Sequence, residues 1–309
     1  IGHYVYMEYG MVERKDKMKV LETTDLSMNY GTKKALSDVN VSVDAGEIYG
    51  LVGKNGAGKT TLMKIILGLL PGHKGGLKLF ESESLSDGRK NIGALIETPV
   101  FFENMTGYQN LKYYRTAYGL DSSIDLEELL SDVKLADARD KKFKAYSLGM
   151  KQRLGIAFSL LGNPDFLVLD EPINGIDPEG IVEIRNLLKE LANKGKTILI
   201  SSHILSELEH LCDRICIIEN GEVVDIIESK KDKKLRYHTV IKTSDDKNFK
   251  KILEELKIEI SKDGVIVGDF DIDKLLKKVY EHGLSIVELE RRKDNLEEYY
   301  LGRLEGRNK

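Results

Sequence analysis

A chain of 309 residues with 41% apolar and 32% charged side chains, no Trp and five Pro has a globular composition, and it can hold one large α/β domain plus a small appendage. Its formal net charge of −4 argues against a surface built to seek nucleic acid, because binding a phosphate backbone draws on a basic excess. Its two cysteines, Cys212 and Cys216, are too few for a disulfide scaffold and lack a second zinc-ligand pair, and the longest apolar runs fall well short of the ~18 residues of a membrane span.

The two thiols are expected to be reduced and structural, in a cytoplasmic protein. Residues 1–17 contain no signal-peptide core and no Met at position 1. They are expected to be an N-terminal extension or an expression-derived leader, with Met18 the natural start. From Lys19 the alternating runs KVLETTDLSM and ALSDVNVSV read as strands. EIYGLV is a near-continuous apolar strand, the pattern of one covered on both faces. After a glycine-rich loop, Leu62, Ile65, Ile66 and Leu69 recur at helical spacing, and Pro71-Gly72 is expected to stop that helix.

Thr106 and Gln109 make a capping box, DLEELLSDVKL reads as a further helix, and the stretch from about 99 to 161 is expected to be helical. DFLVLD, TILISS and RICIIE are buried strands, the first two separated by an amphipathic helix that ends at Gly195. Strand alternating with helix implies a mostly parallel sheet. Asn220-Gly221 is a hairpin turn into EVVDII. Past Ser229 the run KKDKK is either a linker or a solvated charged face. Beyond it LRYHTVIK, NFKKILEEL, IEISKDGVIVG, DIDKLLKKVYEHG, SIVELERR and NLEEYYLGRL outline a small α+β appendage with no visible phosphate loop or catalytic set.

GKNGAGKT, Gly53 to Thr60, matches the pattern G-x4-G-K-[ST] between an apolar strand and a helix. The bland alternative is a glycine-rich turn, yet a chance match in a chain of this length has a probability of roughly 1%. The glycines let the backbone N–H groups of Lys54, Asn55, Gly56, Ala57, Gly58, Lys59 and Thr60 converge on phosphate oxygens at a helix start. Lys59 then reaches the β- and γ-phosphates, and the Thr60 hydroxyl lies on Mg²⁺. Asp170, at the end of FLVLD, is placed to hold that ion through water. Glu171 is the candidate to polarise the attacking water. Two adjacent acids by themselves are equally a polar strand terminus. His203, after TILISS, emerges at the sheet edge where α/β folds bind ligands, and is expected to contact the γ-phosphate. Tyr30 lies 23 residues before Gly53 and offers a face for adenine, as one of fourteen tyrosines.

In their order, GKNGAGKTT, YSLGMKQR, FLVLDEP, NGID and SSH resemble the ATP-binding subunit of ABC transporters. The likeness covers roughly residues 18–228. It implies an α/β P-loop NTPase cassette with a RecA-like core, an antiparallel β subdomain and a helical subdomain at about 99–161, followed by an accessory α+β domain at 229–309. It implies ATP and Mg²⁺, adds Thr61 to the ATP contacts, and makes Asn174, Gly175, Ile176 and Asp177 the D-loop. It further implies a head-to-tail dimer, of identical or sister subunits, in which Ser147, Leu148, Gly149 and Met150 close on the ATP of the opposite subunit. An N-cap serine and a nearby glycine at a helix start agree with that role, although an ordinary capped helix looks the same. The usual signature is LSGGQ, and here Tyr146, Leu148 and Met150 replace three of its five residues. In IGALIETPVFF, Glu97 stands where glutamine is usual and is expected to ligate magnesium directly or through water.

The forms EIYGLVGKNGAGKTTLMKIILGLL and SLGMKQRLGIA, with the NLEEYYLGRL tail, look most like the branch serving bacitracin- and lantibiotic-type peptide export or self-immunity. The resemblance implies ATP hydrolysis that powers a separate integral-membrane permease at the cytoplasmic face of the cell membrane, without nucleic acid. The alternative is a soluble ABC-type ATPase acting on ribosomes or nucleic acid. Such relatives carry two cassettes or a long coiled coil between phosphate loop and signature, and neither is visible here. The appendage is either a regulatory ligand-binding module or an extension of an interface.

Overall fold

The computed structural model describes residues 18–82, 84–96, 101–228, 237–256, 258 and 271–293. Between Ile227 and Glu228 the chain divides into two compact units.

The first unit begins with β1 (Lys19–Tyr30), β2 (Lys33–Val39) and β3 (Ser42–Asp44). ALSDVNVSV was expected as one strand and is two. Asp38 takes a positive φ of 49°, and the Asn40 side chain receives the Asp25 N–H at 2.9 Å while donating to the Asp38 carbonyl. That turn lets β2 and β3 pair with different stretches of β1, at Leu26↔Val39 and Leu21↔Val43. β4 (Ile48–Val52) is buried at every position, as its apolar run requires.

α1 (Lys59–Ile66) follows the glycine loop and stops three residues before Leu69, which is left 63% exposed. The Arg89 guanidinium donates to the Ile66 and Ile65 carbonyls at 2.9 and 3.2 Å, and Gly68 turns left-handed at φ 75°. The helix therefore ends through a distant cation and a glycine, before Pro71 is reached. β5 (Lys74–Leu79) joins β1 antiparallel, and α2 (Leu85–Lys90) carries Arg89. β6 (Ile92–Leu95) lies so close to a later helix that a Cβ on Gly93 would overlap the Ser159 carbonyl.

Over its described part, the stretch expected to be helical holds α3 (Gly107–Ala117), α4 (Leu126–Asp132), two 3-10 turns and α5 (Leu148–Ser159). Thr106 and Gln109 form the reciprocal capping box. Phe101 anchors the helices, with ring centroids 5.0 Å from Phe143 and 6.0 Å from Tyr114 and Phe158. Next come β7 (Phe166–Leu169), α6 (Pro178–Asn193), β8 (Thr197–Ser202), α7 (Leu205–Glu209), β9 (Arg214–Glu219) and β10 (Glu222–Glu228). Asn220 and Gly221 take φ of 50° and 81°, as a tight hairpin turn demands.

The core sheet has the order β10-β9-β4-β8-β7-β6, and β9, β4, β8, β7 and β6 pair in parallel. Leu62, Met63, Ile65 and Ile66 of α1 fill the space between Leu21, Leu26 and Leu36 of the antiparallel sheet and Tyr49 and Leu51 of the core sheet. Each such side chain contributes about 1.5–3 kcal/mol on burial. Cys212 and Cys216 are buried outside any disulfide, and burial pushes the Cys216 thiol up to about 12, so it stays protonated and unreactive.

The two sheets are also tied by charge. Arg214 on β9 donates from Nε and Nη2 to both Glu47 oxygens at 2.5 and 2.7 Å and to the Ser42 carbonyl at 2.9 Å. Glu47 is 6% exposed, while Arg214 keeps 22% of its side chain exposed and has Asp44 as a second carboxylate at 3.7 Å. Glu47→Ala is expected to lose about 1.5–3 kcal/mol of stability, the range for hydrogen bonds to charged groups, seen as a lowered denaturant midpoint at unchanged slope. A loss under about 1 kcal/mol would place the pair among ordinary surface ion pairs.

The second unit contains β11 (Tyr237–Thr243), α8 (Asp246–Glu255), α9 (Ile272–Glu281) and β12 (Ile286–Lys293). β11 and β12 pair antiparallel, and Ile241, Phe249, Ile252, Leu253, Leu275, Val279 and Leu284 form its core. Both helices start on aspartate caps, Asp245 and Asp271. Most of IEISKDGVIVG and all of NLEEYYLGRL lie outside the described residues. Among those described, no helix is long and apolar enough to cross a membrane.

Candidate functional site

The carboxyl ends of β4, β7 and β8 lie side by side, and the predicted phosphate chemistry collects there. After Val52 the chain turns through Gly53–Gly58 into α1, with Gly56 and Gly58 at φ 82° and 115°. Gly53 is glycine for a different reason, since a Cβ there would lie 2.2 Å from the Ile218 carbonyl oxygen. Lys59 is 5% exposed and donates from Nζ to the Gly53 carbonyl at 2.6 Å, closing the loop on itself. The same ammonium is 3.3 Å from Glu171 Oε1.

Thr60 Oγ1 donates to Asp170 Oδ2 at 2.8 Å, so the hydroxyl and the carboxylate predicted to serve one ion do meet. Two hard oxygen donors suit Mg²⁺, which is usually held by one or two carboxylates, substrate phosphates and its own waters. Among the described residues no three His, Cys, Asp or Glu gather as a metal cage. Glu171 follows in the left-handed region at φ 49°, a conformation that costs a non-glycine residue about 1–2 kcal/mol. Its Oε2 lies 2.8 Å from His203 Nδ1, so the carboxylate bridges Lys59 and His203.

Lys59, Thr60 and Glu171 border a cleft of about 250 Å³, lined also by Tyr30, Asn55, Gly56, Ala57, Gly58 and Thr61, whereas Asp170 and His203 are not in its lining. Tyr30 is 49% exposed, and its ring is available at the mouth. Gly53 and Lys54 act behind the lining: both lend carbonyls to the loop, the Lys54 oxygen accepting from Ala57 N–H at 3.0 Å. Lys33 and Ala35 also line this cleft and escaped prediction, because the β1–β2 hairpin that brings them carries no motif.

A second cleft, of about 540 Å³, shares no lining residue with the first. Ser147, Leu148 and Gly149 at the start of α5 face Gly175, Ile176 and Asp177 ahead of α6. A Cβ on Gly149 would touch Ile176 at 3.7 Å, and one on Gly175 would touch Leu148 at 3.4 Å, so the segments predicted as signature and D-loop pack directly together. Ser147 Oγ caps α5 by accepting the Met150 N–H at 3.2 Å, which leaves the hydroxyl proton to donate outward. Asp177 caps α6 through the Gly180 N–H, and the Asn174 N–H returns to the Glu171 carbonyl at 3.2 Å, linking the D-loop to the first cleft's acid. Arg153, unpredicted, lines this cleft with Glu183, which it reaches at 3.5 Å, and donates to the Lys134 carbonyl at 3.1 Å. Glu97 lies outside the described residues.

Comparison with known proteins fits this geometry. The family model described as ABC transporter matches residues 36–174. A bacitracin transport ATP-binding protein of Enterococcus faecalis is 40% identical over 292 residues, covering 91% of this chain and 95% of the relative. A lantibiotic transport ATP-binding protein of Streptococcus pyogenes is 44% identical over 207 residues, covering 66% of this chain and 89% of the relative. Among solved structures, a subunit from Clostridium perfringens described as part of an ABC transporter complex aligns with TM-score 0.63 at 26% identity, over 78% of this chain and 97% of that one. The ADP conformation of an ATP-binding cassette of an ABC transporter aligns with TM-score 0.62 at 28% identity, over 71% and 97%. Identity at that level over nine tenths of its length places this chain in the family of ABC transporter ATP-binding subunits, and it hydrolyses ATP.

Proposed function

We propose that this chain is the ATPase subunit of a transporter that exports, or confers immunity to, a bacitracin- or lantibiotic-type peptide, acting at the cytoplasmic face of the membrane on a separate integral permease. The observation that carries the peptide assignment is the extent of the bacitracin likeness. At 91% of the chain it exceeds the first unit, and so includes part of the appendage as well as the cassette. Co-expression with a candidate permease in a susceptible bacterium is expected to raise resistance to bacitracin or a lantibiotic. Unchanged susceptibility to both, with both proteins present in the membrane fraction, would reject the cargo class.

In the proposed reaction Tyr30 stacks on adenine while the loop N–H groups and Lys59 hold the phosphates. Thr60 and Asp170 would hold Mg²⁺, Asp170 through water, and Glu97 at the glutamine-loop position would join them directly or through water. When bound, the ion would neutralise charge on the phosphates. As Lys59 turns to phosphate it leaves Glu171 Oε1 open to receive the proton of the attacking water. Oε2 stays against His203, which orients the base and lies within reach of the γ-phosphate.

The second cleft completes the site in trans. Ser147 and Gly149 of a second copy, or of a sister subunit, cover the γ-phosphate with a hydroxyl and helix-start N–H groups, and the D-loop residues 174–177 back them. Turnover per chain is then expected to fall steeply on dilution. Gly149→Asp, which sets a carboxylate where the phosphate would dock, is expected to reduce turnover at least tenfold with ATP affinity of the single chain kept. Dilution-independent turnover would remove the dimer from the reaction.

A further inference from the structure

Ser201 opens the SSH motif, of which the function has used only His203, yet it stands between the two acids of the site. β7 and β8 run parallel with Leu169 opposite Ile200, so the next step of the register sets Ser201 beside Asp170. Its side chain is wholly buried. Oγ donates to Asp170 Oδ1 at 2.5 Å and accepts the Glu171 N–H at 2.9 Å. A serine hydroxyl has one proton and two lone pairs, so donation to Asp170 leaves a lone pair for that N–H.

The two bonds do different work. Asp170 Oδ2 is already held by Thr60, and with Ser201 on Oδ1 both carboxylate oxygens are fixed and the carboxylate plane with them. Glu171 lies two residues past the end of β7 at Leu169, where its N–H has left the strand ladder. Ser201 Oγ replaces the lost partner. The direction in which Glu171 leaves the backbone, toward Lys59 and His203, is thereby set at its own amide.

We infer that Ser201 is a positioning residue for the hydrolytic step: its hydroxyl pins the amide of Glu171 and the carboxylate of Asp170, so its loss slows hydrolysis and leaves nucleotide binding in place. This rests on the reading of Glu171 as the base. The effect is on chemistry because the loop, Lys59 and the Thr60–Asp170 bond are untouched, whereas a misplacement of the base by about 1 Å can cost 10²-fold in rate.

The test uses the full chain in steady-state and single-turnover ATPase assays. Ser201→Ala is expected to lower kcat ~10–100-fold with KM within ~3-fold, while melting cooperatively and binding ATP. Ser201→Thr, which keeps the hydroxyl on a residue suited to strands, is expected to hold kcat within ~5-fold of the native value. In the Glu171→Gln background, Ser201→Ala should bring little further loss, since two residues acting through one group are not additive. A native kcat for Ser201→Ala, an equal loss in both backgrounds, a rise in KM alone, or a Thr variant as slow as Ala would each overturn the inference. Native turnover in Glu171→Gln overturns the base assignment itself. A slow Glu171→Gln beside a native-rate Ser201→Ala overturns only the role of Ser201.

Discussion

Glu171→Gln is expected to slow ATP turnover by ~10²–10⁴-fold while ATP affinity stays within a few-fold and the ATP-bound dimer becomes long-lived enough to isolate by gel filtration. The amide keeps the volume and much of the hydrogen bonding of the carboxylate, including a contact to His203, now 2.8 Å away. It has no useful affinity for a proton, so the loss falls on the chemical step. Part of the native arrangement also changes sign: Lys59, 3.3 Å from Oε1, loses an anionic neighbour and becomes more available to phosphate. Affinity should therefore hold or rise slightly. Rapid gel filtration with labelled ATP and a single-turnover assay check both halves. Turnover within tenfold of the native protein would take Glu171 out of the role of base and pass it to another group at the sheet edge.

The parts of this protein that could be read ahead of the structure are those whose determinants are contiguous in sequence. The Gly53–Thr60 loop, the Thr106–Gln109 capping box and the Ser147 cap each carry their hydrogen-bond logic within four to eight positions, and each forms as expected. What stayed hidden depends on partners far along the chain. α1 ends at Ile66 because Arg89 takes its last carbonyls, so a helical pattern that ran on to Leu69 overshot. β6 has the weak strand signal of Gly93 and Ala94, and its reason for being glycine is the carbonyl of Ser159 on another element. Ser201 was legible as the first residue of SSH, with no role of its own. Its meaning comes from the β7–β8 register, which no local pattern contains. Likewise the packing of Gly149 on Ile176 unites two motifs that sequence order alone leaves separate.

Lys59→Ala tests the opposite half of the site, binding rather than chemistry. Lys59 is 5% exposed and its ammonium has two protein partners, the Gly53 carbonyl at 2.6 Å and Glu171 at 3.3 Å. A charged hydrogen bond of this kind is worth about 1.5–3 kcal/mol, so ATP affinity should fall by roughly ten- to a hundredfold. Hydrolysis should then become undetectable at ATP concentrations that saturate the native protein. Truncation also strands the Gly53 carbonyl in a loop whose glycines already occupy left-handed backbone at Gly56 and Gly58. The loop therefore loses its closing bond as well as its cation. Lys59→Arg separates the two losses: it restores the charge, but a planar fork cannot reproduce a compact ammonium donating inward to a carbonyl beneath the loop. Its affinity is expected to fall between those of Ala and the native residue, as read by titration with a fluorescent ATP analogue. An Ala variant that binds ATP like the native protein would mean that the ammonium serves the fold of the loop alone, and the phosphate contact would have to come from the backbone N–H groups without it.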